Sequence, residues 1–463
     1  METGDQTGQG VVLLDQWDES AVKLWHSFRA AGFRGPVVVI RDEGFLPEDV
    51  MSVTGWCCGE ERPCDRGTPR ARYFNEIERP DYWEITADSS GGSVYDKSHL
   101  RGRIVYSAPG NTRLVKRVEW LDESGTPRMT DHYNQAGRLY ARSTADGTGR
   151  RIITAWFDAQ GQERLTENAV TGDLILHTGS PSGGTMRIYK NRTQLVLALF
   201  RKLGLTGERI FYNSLSTPFF VSEALPSAGR KHLLFWQEPP RSDVPGNMLG
   251  ILHGSSCTER VLVQNRASFD ALVEHGADAA MLRLFGYLYS YSRENGHGRE
   301  MLICTNSDQI ESLESLAEAL PEMHFHIAAV TEMSTKLLSM DRYPNVTLYP
   351  AARPAIFQKL YAMCDYYLDI NYGSEIVSAV KEAFLHNLLI LAFVKTQHNR
   401  TYTAPEHIFQ DAGVMAAAIR EAASTPAAMD RHLACQRQAA LSEKESAYQD
   451  LFVSDAAEEP EAD

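Results

Sequence analysis

The sequence predicts an α/β protein: two lobes built on parallel sheets, with an antiparallel β-meander inserted into the first. Three observations carry this prediction. Near the start and through the last third, short continuously apolar runs alternate with helix-length amphipathic segments, the pattern of strands buried on both faces of a parallel sheet. Between Tyr73 and Tyr189 the hydrophobic period becomes two and turn sequences arrive regularly, which marks hairpins. After Tyr189 the α/β pattern returns.

Taken in order, VVLLD (Val11 to Asp15) is a strand, Glu19 to Ala31 a helix and GPVVVI (Gly35 to Ile40) a second strand. The meander is punctuated by DESG (Asp122 to Gly125), NQAG (Asn134 to Gly137), ADGTG (Ala145 to Gly149), DAQG (Asp158 to Gly161) and TGD (Thr171 to Asp173). LVKRVEWL, RLYARSTA and RIITAWFD lie between these turns, alternating and rich in β-branched and aromatic residues, as strands of a half-buried sheet require. Thr193 to Leu203 is then a helix, ERIFYN, KHLLFW and RVLVQ are strands, and Ala267 to His275 a helix. In the last third MLICT, HFHIAAV, NVTLY, DYYLDI and LLILAF are strands. The expected domains are residues 1–70 and 190–295 for the first lobe, 71–189 for the insertion, and 296–450 for the second lobe with a crossing terminal helix around Met429 to Tyr448. The stretch 451–463 is expected to be a disordered acidic tail, since DAAEEPEAD is too polar to pack. Two Rossmann-like lobes facing across a cleft make the GT-B arrangement of many glycosyltransferases.

Bulk properties exclude several classes. The formal net charge of −14 over 463 residues argues against a nucleic-acid backbone as partner. No signal peptide opens the chain and no run approaches the roughly 18 apolar residues of a spanning helix, so a soluble protein made in the cytosol is expected. The seven cysteines form no disulfide framework. Cys57, Cys58 and Cys64 cluster, but without a fourth ligand or a CxxC pair, so reduced thiols are expected rather than zinc. Neither GxSxG nor HExxH occurs, and no glycine-rich loop follows the first strand. Nothing calls for a metal or a cofactor.

Ligands of parallel sheets bind beyond the carboxyl ends of the strands, which places any site of the second lobe at TNSD (Thr305 to Asp308), TEMS (Thr331 to Ser334) and NYGSE (Asn371 to Glu375). Retaining GT-B enzymes place an E-x7-E pattern at the helix after the fourth strand. Here Glu375 and Glu382 are separated by six residues, and aligning EAF (Glu382 to Phe384) leaves Ser374 where the first carboxylate belongs. Two readings stand: Ser374, Glu375 and Glu382 are a degenerate donor pocket, or Glu375 is a first-turn acid of a helix from Glu375 to Leu385 and Glu382 is solvated. Active enzymes also present cations to the leaving diphosphate after the first strand of this lobe, but TNSDQIESLESLAEAL (Thr305 to Leu320) contains none. Asp308 with Glu311 fits a capping box instead. Asn213, Ser214 and Ser216 end a strand, Gln237 and Glu238 end the next, and His398, Asn399 and Arg400 follow LLILAF. Turn and cap duty and cleft-lining are both open for these groups.

The chain resembles the GtfB family, the stabilizing subunits of accessory Sec O-GlcNAc transferases of Gram-positive bacteria. The resemblance is carried by RDEGFLPEDV (Arg41 to Val50), DHYNQAGRLYARS (Asp131 to Ser143), IFYNSLSTPFFVS (Ile210 to Ser222), LFWQEP (Leu234 to Pro239), FHIAAVTEMS (Phe325 to Ser334), YLDINYGSEI (Tyr367 to Ile376) and HNRTYTAPEHIF (His398 to Phe409). Gly55 to Arg70 departs from it. The resemblance implies a GT-B fold with an extended β-sheet insertion and a non-catalytic role beside a GtfA-like glycosyltransferase in a 2+2 heterotetramer. The acceptor it implies is a serine-rich repeat protein, and the location the cytoplasmic face of the cell membrane, by peripheral contact. On this reading Asn213, Ser214, Ser216, Glu238, Asn371, His398, Asn399 and Arg400 line the acceptor-binding cleft. The competing functions are an active retaining glycosyltransferase using Glu375 and Glu382, and a module that binds peptide already carrying GlcNAc.

Overall fold

The computed structural model describes residues 9–60, 71–107, 113–178 and 184–452. Cys64 and the acidic residues from 453 onward lie outside them. The chain divides into two units, Met1–Phe285 with Gln449–Asp463, and Gly286–Tyr448.

The first unit holds a seven-stranded parallel sheet. Its strands are β1 (Val11–Gln16), β2 (Val37–Arg41), β3 (Val50–Ser52), β14 (Ile210–Tyr212), β15 (His232–Trp236), β16 (Thr258–Val263) and β17 (Leu282–Leu284). They are ordered β17-β16-β15-β14-β1-β2-β3, and the central strands are buried along almost their whole length, which accounts for their continuous apolar sequence. The order reverses between β1 and β14, the switch point of a doubly wound sheet.

The insertion is a single ten-stranded antiparallel sheet in sequential order. Its strands, β4 to β13, are Glu84–Ala87, Gly92–Asp96, His99–Tyr106, Val115–Leu121, Pro127–Tyr133, Leu139–Ala145, Arg151–Phe157, Glu163–Asn168, Leu174–Thr178 and Thr185–Tyr189. Four of its hairpins use one device. At Asp122, Asn134, Asp146 and Asp158 the side-chain Oδ1 accepts backbone N–H groups two and four residues on. The glycine three residues on, Gly125, Gly137, Gly149 or Gly161, takes a positive φ of 72–81°, where a Cβ would be penalised. Ala141, Trp156, Leu165, Leu174 and Leu176 join the core of the first lobe. The other half of the sheet packs its own core from Ile77, Val94, Ile104, Val115, Val118 and Tyr133.

The second unit repeats the plan with β18 (Glu300–Thr305), β19 (His324–Ala329), β20 (Val346–Tyr349), β21 (Tyr366–Asp369), β22 (Leu389–Phe393) and β23 (Ile408–Phe409). They are ordered β20-β19-β18-β21-β22-β23, with the switch point between β18 and β21.

Three local expectations are corrected. The terminal helix is two helices, Pro426–Ala439 and Glu445–Phe452, broken at Leu441, whose φ is 54°. Leu451 and Phe452, assigned above to the tail, are buried. Phe452 packs on Phe28 and Phe33, an aromatic cluster that outweighs the polar sequence beyond it. The helix placed at Glu375 to Leu385 begins only at Ala379, because Val377 and Ser378 both take left-handed φ, 45° and 52°. A β-branched residue there is strained, by about 1–3 kcal/mol.

Candidate functional site

Each unit carries a polar shelf at its switch point, and each shelf is organised by an asparagine that follows the fourth strand. In the first unit the Asp15 N–H donates to Asn213 Oδ1 at 2.9 Å, and Asn213 Nδ2 donates to Gln237 Oε1 at 3.0 Å. Gln237 in turn donates to Gln264 Oε1 at 2.8 Å. Four strand ends are thus linked in one largely buried chain. The Ser214 hydroxyl reaches Asp15 Oδ2 at 3.4 Å and accepts the Ser216 N–H at 3.1 Å. Arg41, at the end of β2, completes the shelf with a 2.5 Å ion pair to the same Asp15 oxygen. The other oxygen, Oδ1, is buried with no hydrogen-bond partner among the described residues. Glu238 stands apart: it pairs with Arg241 at 3.2 Å and is not joined to this network.

In the second unit the Thr305 hydroxyl donates to Asn371 Oδ1 at 2.8 Å, the counterpart of the Asp15–Asn213 contact. Asn371 is 3% exposed, so it ties β18 to β21 rather than presenting its amide to solvent. Asn306 Nδ2 meets the Ser374 hydroxyl at 3.2 Å. His398 is held on three sides. Its N–H donates to Asp369 Oδ2 at 2.7 Å, Nδ1 meets Asp369 Oδ1 at 2.5 Å, and Nε2 meets the Gly373 carbonyl at 2.5 Å. The Asp369 contact, followed by the Gly373 carbonyl, raises its pKa to about 9 against the desolvation that opposes it. The imidazole is therefore cationic at neutral pH, with both N–H groups donating. Asn399 caps its own loop through Thr401 N–H at 3.1 Å, and Arg400 Nε meets Gln397 at 3.1 Å.

The donor-pocket residues do not assemble as a carboxylate pair on one helix face. Glu375 lies before the helix, and its Oε1 accepts the Val380 N–H at 2.9 Å, so it caps the helix from outside. Glu382 is half-buried on the helix itself. Asp308 and Glu311 form no capping box. Ile310 bridges Asn371, and the Glu311 N–H donates to the Ile370 carbonyl at 2.8 Å. This pairing takes the segment out of the helix, which starts at Leu313. Asp308 instead accepts the Ser334 hydroxyl at 2.7 Å.

Asp15, Arg41 and Gln264 were not among the sequence candidates. Their signal is position: each is the polar residue that closes or follows an apolar strand. Cys57 and Cys58 are buried free thiols, and burial pushes the Cys57 pKa up to about 12, so neither is a reactive thiolate. Glu300, His324 and His326 lie at the opposite, N-terminal edge of the second sheet, with ligand-type atoms within 4.8 Å of one another. His326 is engaged by Glu300 at 2.6 Å and Tyr349 at 3.0 Å, and burial lowers its pKa.

Four family models match the chain in order. They are described as GtfB N-terminal domain (residues 11–54), GtfB middle domain (83–190), GtfB third domain (192–274) and GftB/GlyA-F C-terminal domain (301–436). The UDP-N-acetylglucosamine--peptide N-acetylglucosaminyltransferase stabilizing protein GtfB of Streptococcus pneumoniae is 39% identical over 409 residues, which cover 88% of this chain and 90% of that protein. The chain belongs to the GtfB family. The GtfB of Limosilactobacillus reuteri is 35% identical over 451 residues, covering 95% and 98% of the two chains. A chain of the solved GtfA/B complex bound to UDP and GlcNAc superposes with a TM-score of 0.84 at 37% identity, over 95% of this chain and 98% of that one. With the GtfB likeness goes the GT-B fold, and the antiparallel sheet above coincides with the GtfB middle domain.

Proposed function

We propose that this chain is the non-catalytic, stabilizing and acceptor-binding subunit of a UDP-GlcNAc:protein O-GlcNAc transferase. Its partner is a GtfA-like catalytic subunit, joined with it in a 2+2 heterotetramer. The complex glycosylates Ser and Thr of a serine-rich repeat adhesin before accessory Sec export, at the cytoplasmic face of the membrane. Contact with the membrane is peripheral; among the described residues no helix is long and apolar enough to cross one.

One observation carries the non-catalytic reading: the segment after β18 offers no cation to a leaving diphosphate, and Glu375 and His398 are already engaged. The segment from Thr305 to Leu320 has no cation, and Asp308 stands there instead. Glu375 caps a helix and both ring nitrogens of His398 are held. A diphosphate brought beside that segment meets Asp308 rather than the positive groups that stabilise a leaving anion. The names of the GtfB relatives, stabilizing proteins of the transferase, support the same reading.

The first-lobe shelf suits an extended acceptor. Its accessible groups, Ser214 and Ser216, are small and polar, and backbone-directed contacts of that kind bind many sequences without deep side-chain pockets. Acceptor chains that order on binding bring modest affinity per unit area. The test is to measure binding of a fluorescent Ser/Thr-rich peptide and of UDP-GlcNAc to the purified chain, and the mass of its complex with a GtfA-like subunit. Peptide binding, weak or no nucleotide binding and a 2+2 mass are expected. Tight UDP-GlcNAc binding with no peptide binding would overturn the proposal.

A further inference from the structure

The first unit contains a cavity of about 370 Å³ between one face of the meander and the first-lobe sheet, a volume within the range of ligand sites. One wall is a row of hydroxyls set by strand register. Thr130 on β8 pairs with Ser143 on β9, which pairs with Thr154 on β10, so all three share one face of the sheet. Two of the three are joined: His132 Nε2 meets the Ser143 hydroxyl at 3.1 Å, and Ser143 meets Thr154 at 3.0 Å. Burial pushes the His132 pKa down to about 4, so the imidazole is neutral. In the tautomer protonated at Nδ1, it accepts Ser143, which accepts Thr154, and each oxygen keeps a lone pair for a ligand donor.

The opposite wall comes from the first lobe: Arg41, Asp42 and Thr54, with Arg192 at a helix start. Most cations here are neutralised. Arg41 pairs with Asp15, Lys116 with Glu43, Arg117 with Glu119 and Arg192 with Glu167. Arg151 makes no ion pair among the described residues and is exposed at the rim. Paired cations leave little field for a diphosphate. What the cavity offers is a row of neutral hydroxyls, each able to donate to or accept from a peptide group. Arg41 also makes it continuous with the shelf of Asp15, Ser214 and Asn213.

We propose that the acceptor polypeptide lies extended in this cavity, along the hydroxyl row Thr130, Ser143 and Thr154, and passes Arg41 onto the first-lobe shelf. This inference rests on the acceptor-binding reading above and gives it a place.

The experiment uses the full chain with a fluorescent Ser/Thr-rich peptide. Ser143→Tyr fills the cavity and should weaken binding at least tenfold, while Met186→Ser, on the far edge strand, should leave it unchanged. Because Ser143→Tyr risks misfolding, a second measurement uses Ala145→Cys, a half-buried lining position on the same face as Ser143. The peptide should slow alkylation of the introduced thiol at least tenfold, and UDP-GlcNAc should not. If the wild-type chain binds no peptide, the acceptor-binding reading itself fails. If it binds peptide but folded Ser143→Tyr binds equally well and the thiol is unprotected, the cavity assignment alone is overturned. Protection by UDP-GlcNAc instead of peptide would also overturn it.

Discussion

His398 and Asp369 hold each other through two contacts, backbone N–H to Oδ2 at 2.7 Å and ring Nδ1 to Oδ1 at 2.5 Å. The folded-state pKa of His398, about 9, lies above its ordinary value of 6.5. The stabilisation is therefore complete below about pH 6.5 and is lost as pH rises through 9. His398→Gln should lower stability by about 2 kcal/mol near pH 6, and by much less above pH 9. Thermal unfolding of both proteins across this range checks it.

Glu375 acts on the helix Ala379–Leu385 through the Val380 N–H. Glu375→Ala should lower stability by about 0.5–2 kcal/mol, as loss of a helix cap does, and Glu375→Gln should retain part of it. In the complex with a catalytic subunit, neither substitution should reduce GlcNAc transfer beyond that effect. A selective loss of turnover without loss of stability would point to a donor-site role.

Asn213 satisfies Asp15 and Gln237 together in a buried position. Asn213→Leu leaves a buried N–H and an amide oxygen without partners, which costs about 1–3 kcal/mol each. Urea unfolding should show a lower midpoint, with the slope unchanged.

Arg192 grips Glu167 through two bonds, 2.8 and 2.6 Å, and lies over the Trp156 ring at 5.8 Å. Both partners are largely buried. Glu167→Ala leaves an uncompensated guanidinium and should cost about 3–5 kcal/mol. The double replacement Glu167→Leu with Arg192→Met should recover much of that loss, as a double-mutant cycle will measure.

The meander was legible because its signals are local. A turn of Asp or Asn, two residues and then Gly specifies its own backbone, and period two survives in strands with one wet face. The strands β3, β17 and β23 were not foreseen, since two or three residues carry no period. Asn213 and Asn371 were read as cleft residues because polar residues directly after buried strands stand at the switch points; in the structure both are buried and tie strand ends together. The capping box at Asp308 and the helix start at Glu375 were misplaced for a tertiary reason. The Ile310–Asn371 bridge and the left-handed Val377–Ser378 pair override local helix signals, and neither has a sequence signature. His398 was seen as a polar group beside the site, but its engagement by Asp369 arises between separate strand ends.

The central claim is a division of labour between this chain and a catalytic partner. Transfer of labelled GlcNAc from UDP-GlcNAc to a Ser/Thr-rich acceptor tests it most directly, with this chain alone, with a GtfA-like subunit alone, and with both. The account predicts no transfer by this chain alone and much greater transfer by the mixture than by the partner alone. Robust transfer by this chain alone, abolished in Glu382→Ala, would contradict it.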